Sequence, residues 1–263
     1  MPGLSNVNLK VHGRDQQMVW QLYGTDAAFR SDALDEDDAW PIDQLTVAGT
    51  FSWSADSWRL QIAPDSEIRL PGLPIGVAAT ITPSSESVHV DALARSLNEV
   101  PIPADVLRRH LPIVMGDNLH DYLSMAIQDG YAADLAMVWR GALEDFPYHN
   151  NEGLFEARAR ISGLLYKFQP DWRPVYDANA IVNFRNERMH ITATDGLIGL
   201  IDVARADVVI PDLLAGDVAR LDITASIAGN ANELKPVFDD SPLAGSLGGT
   251  LAEVQLSGPV TGY

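Results

Sequence analysis

The side chains able to do chemistry in this chain are plentiful but uncoordinated. Its six histidines are His12, His89, His110, His120, His149 and His190. No two of them stand at a metal-ligand spacing such as H-E-x-x-H. The sequence holds no G-x-S-x-G elbow, no P-loop and no G-x-G-x-x-G opening a helix after a strand. Cysteine is absent, which excludes disulfides, thiol nucleophiles and Cys-ligated zinc or iron–sulfur centres; no cofactor or metal is expected. Gly245-Ser-Leu-Gly-Gly249, between Pro242 and a strand-like stretch, reads as a flexible turn rather than a phosphate cradle. The acidic run from Asp35 to Asp38 lacks the Asp/Asn/Gly spacing of a calcium loop and reads as solvated. A pair of carboxylates for glycoside hydrolysis stays open, because pairing is spatial and acidic residues are abundant, yet nothing singles out two.

The elements that would have to position such groups are strands. Ala178, Ala180, Val182 and Phe184 share one parity against Asp177, Asn179, Asn183 and Arg185. Met189, Ile191 and Ala193 oppose Arg188, His190, Thr192 and Thr194; Leu221, Ile223, Ala225 and Ile227 oppose Arg220, Asp222, Thr224 and Ser226. Phe155, Ala157, Ala159 and Ile161 alternate in the same way. Successive strand side chains point to opposite faces, so each segment has one apolar and one wet face. His190 falls on the wet parity and reads as solvated. The tryptophans at 20, 53, 58 and 139 fall on apolar parities and read as interior, not as an exposed sugar platform.

The first 90 residues are strand-like too, punctuated by turn chemistry at Gly13-Arg-Asp15, Pro64-Asp65 and Pro71-Gly72. A helical interlude is expected from about Asp91 to Gly130. Pro103 stands at one helix start, and Leu111-Pro112 ends that helix. Leu119, Tyr122, Leu123, Ala126 and Ile127 form one apolar stripe of the next, with Gly130 as its stop. Its polar face lacks lysine and arginine, which disfavours a membrane-lying helix. A short helix over Ala231–Asp239 contains Pro236. The expected regions are therefore residues 1–90, strand; 91–130, helical; and 131–263, strand.

Composition narrows the partners. The net charge of −18 argues against nucleic acid and against docking on an anionic membrane surface. No stretch approaches the roughly 20 apolar residues of a membrane span. Met1-Pro2-Gly3 leads directly into strand-like sequence with no leader pattern, and the last ten residues read as a strand cut short; a piece of a longer protein is expected.

One ordered set of segments is more specific. Gly163-Leu-Leu-Tyr-Lys-Phe-Gln-Pro-Asp-Trp-Arg-Pro174 leads into the Ala178–Phe184 strand, then Arg188-Met-His-Ile-Thr-Ala193 and Asp195-Gly-Leu-Ile-Gly199. Ala204-Arg-Ala-Asp-Val-Val-Ile-Pro-Asp-Leu213, Leu221-Asp-Ile-Thr-Ala225, Phe238 and Ser241-Pro-Leu243 follow, and Leu143-Glu-Asp-Phe-Pro-Tyr148 precedes. From about Pro101 to Leu256 this order resembles the YhdP branch of the AsmA-like proteins; Pro236 departs from the pattern. The resemblance implies a long Gram-negative envelope protein, anchored in the inner membrane and projecting through the periplasm. Its curled sheet would carry phospholipid along an apolar inner face toward the outer membrane.

The expected fold is therefore mainly β: an elongated, curled antiparallel sheet forming a hydrophobic groove, with a short helical insertion around 91–130. A closed sandwich or barrel filling its own interior is the alternative. The expected function is non-enzymatic phospholipid binding and transport between inner and outer membranes, in the periplasm. The alternatives are a carbohydrate-binding or adhesin-type module and, behind it, a glycoside hydrolase. The expected lipid-facing residues are Phe155, Ala157, Ala159, Ile161, Ala178, Ala180, Val182, Phe184, Met189, Ile191, Ala193, Leu221, Ile223, Ala225 and Ile227. A slip of one residue would put Arg185, Arg188, Arg220 or Asp222 on that face, so the register is strongly specified. Cut sheet edges would also invite edge-to-edge self-association.

Overall fold

The computed structural model describes residues 3–30, 39–110, 117–167, 172–213, 220–239 and 257–262. The acidic run 35–38, Leu111-Pro112 and the glycine-rich 245–249 lie outside the described residues.

Strands dominate. They are β1 (Gly3–Arg14), β2 (Gln17–Arg30), β3 (Trp40–Trp53), β4 (Trp58–Leu70), β5 (Leu73–Pro83), β6 (Val88–Ser96) and β7 (Ile102–Pro103). After two helices come β8 (Ile127–Ala142), β9 (Leu154–Tyr166), β10 (Val175–Arg185), β11 (Arg188–Ile198), β12 (Ile201–Ile210), β13 (Asp222–Asn230) and β14 (Pro259–Gly262). The hydrogen-bonded order follows the chain, from β1 at one end to β14 at the other, with β7 set beside β8. The ladders are antiparallel, as short turns between alternating segments require. Among the described residues no ladder joins β1 to β14, which sets aside the barrel alternative.

Local chemistry explains the hairpins. The two-residue loops Asp15-Gln16, Pro71-Gly72, Asn186-Glu187 and Gly199-Leu200 each hold one residue at positive φ: 55° at Asp15, 78° at Gly72, 54° at Asn186 and 63° at Gly199. Asp, Asn and Gly tolerate that left-handed conformation, and it matches the strand twist.

Helix occupies part of the 91–130 stretch: α1 (Ala104–Arg109) and α2 (Asp117–Ala126). Asp91–Ser96 completes β6, and Gly130, at φ 123°, lies inside β8 instead of stopping a helix. A third helix, α3 (Ala231–Asp239), contains Pro236 as expected.

Two compact units emerge. The first comprises Met1–Ile102, Ala133–Arg158 and Phe184–Glu187; the second comprises Pro103–Ala132, Ala159–Asn183 and Arg188–Tyr263.

Irregularities inside the strands have a common chemistry. Asn6, Asp26, Asp134 and Asp177 all sit mid-strand at φ between 49° and 57°. Beside Asn6 the β1–β2 register shifts, and its side-chain amide donates to the Asp26 carbonyl at 2.9 Å. Such bulges bend a strand and raise its twist. In β4, Ala63-Pro64-Asp65 faces a single residue of β5, Ala78, where proline has no ladder hydrogen to donate. On the other side of β4, where its register with β3 also shifts, Ser66, 2% exposed, bridges to β3. Its hydroxyl accepts from Ala48 N at 3.2 Å and donates to Ala48 O at 3.3 Å.

Candidate functional site

Within the first unit the ladders align apolar residues into rows that cross the strands. One row runs Val11, Trp20, Gly49, Ile62, Ala79, Ala92, Trp139 through seven consecutively paired strands. The next runs Gly13, Met18, Phe51, Leu60, Ile81, Val90, Gly141. Paired residues share a face, and strands stand about 4.8 Å apart, so each row is a strip of about 29 Å along the hydrogen-bonding direction. Few of these side chains are covered. Trp20, Ile62, Phe51, Leu60 and Val90 are half-buried, and Leu9 on edge strand β1 is 63% exposed. The tryptophans expected inside do lie on the apolar face, but that face is an open surface rather than an interior.

The opposite face is polar and satisfies itself. Its row runs His12, Val19, Thr50, Gln61, Thr80, Asp91, Arg140. Thr50 donates to Gln61 Oε1 at 3.0 Å, and Arg140 lies 3.4 Å from Asp91. An open depression of about 440 Å³ in the middle of these strands is lined by Thr50, Gln61, Thr80 and Asp91 of the polar row and by Gly49, Ile62, Ala79 and Ala92 of the apolar one.

The second unit repeats the design. Ile191, Val208 and Ile223 form one row, and Ala193, Ala206 and Ala225 the next. Met189 pairs with Ile210, and Val203 with Ile227. Ala178, Ala180 and Met189 are buried, Ala159, Ile161, Val182, Ile191, Ala193, Ala225 and Ile227 half-buried, Ile223 is 51% exposed, and Ala157, in the first unit, is half-buried. Phe155 and Phe184, in the first unit, are half-buried, while Leu221 is exposed and precedes β13. Sequence reasoning left out Ala206, Val208 and Ile210 of β12, although they alternate with Arg205, Asp207 and Val209. It also left out every row of the first unit.

On the opposite face of the second unit runs a polar row, with Thr192, Asp207 and Thr224 in register. Asp207 accepts from Arg205 Nε at 2.9 Å and Thr192 Oγ1 at 3.2 Å, and lies 3.2 Å from His190 Nε2. The Arg205 hydrogen bond, with help from His190 and Thr192, holds its carboxyl down to about 2. This is no nucleophilic triad. The carboxylate and the hydroxyl meet the same imidazole nitrogen, Nε2, whereas a triad uses both nitrogens. Among the described residues, no group of three His, Asp or Glu could hold a metal ion.

One loop turns back over the apolar face. Between β8 and β9, Tyr148, 1% exposed, fills the seat left by two glycines. A Cβ on Gly141 would stand 2.7 Å from the Tyr148 ring, and one on Gly153 2.5 Å. Gly141 has the parity of Trp139, so the ring lies on the apolar side. Trp139 Nε1 donates to Tyr148 Oη at 2.7 Å, and its indole stacks on Phe146 with centroids 5.0 Å apart. Phe155 meets Trp139 edge-on at 5.1 Å. Burial raises the Tyr148 pKa against the lowering effect of the Trp139 bond. The Asn186 turn ties the strap down: its amide donates to Tyr148 O at 3.3 Å, and its carbonyl oxygen accepts from Phe155 N at 2.9 Å.

These features define a class: an open antiparallel sheet with apolar rows on one face within each unit and no reactive constellation among the described residues. The family model of the YhdP protein matches residues 1–262, and the chain belongs to that family. It is similar to the intermembrane phospholipid transporter YhdP of Escherichia coli strain K12, with 38% identity over 148 residues. That match covers 56% of this chain and 11% of the relative, so the chain spans a small part of that protein's length. No solved structure matches.

Proposed function

We propose that the chain is a segment of a phospholipid conduit, whose apolar face forms a groove that holds acyl chains while headgroups stay in water. The observation that carries this reading is the pair of apolar rows crossing seven strands of the first unit, largely open except where the strap covers their β8 end. An acyl methylene in water costs about 0.8 kcal/mol, so a chain of about 16 methylenes crossing bare would cost roughly 13 kcal/mol. A strip that keeps each methylene against apolar side chains removes most of that barrier without chemistry. Transport is therefore non-enzymatic, and cofactor-free.

The partners in this reading are phospholipid and, through other parts of the parent protein, the inner and outer membranes across a periplasm. In this reading the residues named from the sequence, from Phe155 to Ile227, line the apolar face each within its own unit, joined in the second by Ala206, Val208 and Ile210. Long polar rows with mutual hydrogen bonds support a solvated back. A carbohydrate module would need exposed polar groups converging on a sugar, and the tryptophans here stand among aliphatic rows.

Native mass spectrometry with lipid extraction tests the reading. The purified chain should retain phospholipid, and Ile223→Asp should lose most of it while Thr224→Asp keeps it, both with unchanged melting curves. Retention of sugars with no phospholipid would refute it.

A further inference from the structure

The row from Trp20 to Trp139 is uneven. Its middle residues are small or medium, Gly49, Ile62, Ala79 and Ala92, while the parallel row beside it carries Met18, Phe51, Leu60, Ile81 and Val90. At one end the Trp20 indole leans over Gly49: a Cβ there would stand 2.8 Å from Trp20 Cζ2. At the other end stands Trp139, backed by Phe146, Tyr148 and the β8–β9 strap. A shallow bay, floored by Ile62, Ala79 and Ala92, is thus bounded by an indole at each end.

From β3, where Trp20 rests, to β8, which bears Trp139, there are four strand spacings, or about 19 Å. The acyl chains of one leaflet fill about 15 Å of a bilayer core. We propose that this bay is a resting site for one acyl chain of a phospholipid, lying across β4–β6 with Trp20 and Trp139 as end stops. The inference rests on the conduit reading and adds a place where the chain pauses. The strap suits the stop at Trp139, because Trp139 Nε1–H and Tyr148 Oη satisfy each other. Bulky neighbours in the adjacent row form the side wall.

The test uses the wild-type 263-residue chain, loaded with a phosphatidylethanolamine that carries a diazirine at the middle of one acyl chain. Cross-linked sites are mapped by mass spectrometry. Cross-links should concentrate on Ile62, Ala79 and Ala92. In parallel, Ala79→Phe, which fills the bay, should lower lipid retention at least fivefold, whereas Thr80→Phe on the opposite face should not. Should Ala79→Phe fail to fold, the wild-type cross-linking map decides alone. Lipid retained with cross-links spread evenly over the apolar rows, or concentrated in the second unit, overturns the resting site and leaves the conduit reading standing. A wild-type chain that takes up no phospholipid overturns both. Uptake that tracks dimer formation would make a second copy the occupant and also overturn the proposal.

Discussion

Removing one oxygen from the strap measures how firmly it is fixed over the apolar face. Tyr148→Phe keeps the ring in its seat on Gly141 and Gly153 and deletes only Oη, the acceptor of Trp139 Nε1–H at 2.7 Å. At 1% exposure, water has no access to replace it. The half-buried indole N–H is left without its acceptor among Phe146 and Phe155, and an unsatisfied donor there costs up to about 1–3 kcal/mol. Ring packing is conserved, so the whole change should stay in that range. Trp139→Phe removes the donor and should cost more, because indole volume is lost as well. With the donor gone, deletion of Oη should cost little, giving a coupling of about 1–2 kcal/mol in the double-mutant cycle. Urea unfolding followed by near-ultraviolet circular dichroism reads all four proteins. A Tyr148→Phe cost below about 0.5 kcal/mol with additive effects would refute the argument, since it would mean that the bond carries no weight.

Two further predictions concern the scaffold. Gly49→Ala places a Cβ 1.8 Å from the Gln61 carbonyl oxygen, a backbone atom of the neighbouring strand. Thermal melting should show a loss at or above the roughly 3 kcal/mol upper end of ordinary overpacking, and near-wild-type melting would show that the strands part freely. Asp207 has its carboxyl depressed to about 2 by Arg205, so its ion pair stabilises the fold above the ordinary carboxylate range and is lost as pH falls toward 2. Carboxyl-selective NMR should find a midpoint near that value, with Arg205→Ala raising it; a wild-type midpoint near 4 would refute the assignment.

Much of this protein was legible before any coordinates. Strand periodicity is written in side-chain type alone, because a strand forces residues two apart onto one face whatever its neighbours are. That is why Ile191, Ala193, Ile223 and Ala225 could be placed on a common face from their spacing, and the ladders through Val208 and Ala206 then put them in rows. Absence of reactive motifs was equally local information. The helix Ala231–Asp239 also emerged at its expected bounds, since its start and its period lie within nine residues.

Other features depended on partners distant in sequence. Asp91–Ser96 extends β6 because β5 and β8 offer ladders on both sides, which local pattern does not reveal. Asn6, Asp26 and Asp177 carry ordinary polar side chains; only the backbone shows their positive φ, and at Asn6 the shift in ladder register. The strap was unreadable, because Tyr148 lies over glycines 7 residues before it and 5 after, and its phenol meets an indole 9 positions away. Composition and parity determined that one face would be apolar and the other wet. Pairing decided which residues share a row and how far each row runs, because those facts belong to hydrogen bonds between strands rather than to any strand alone.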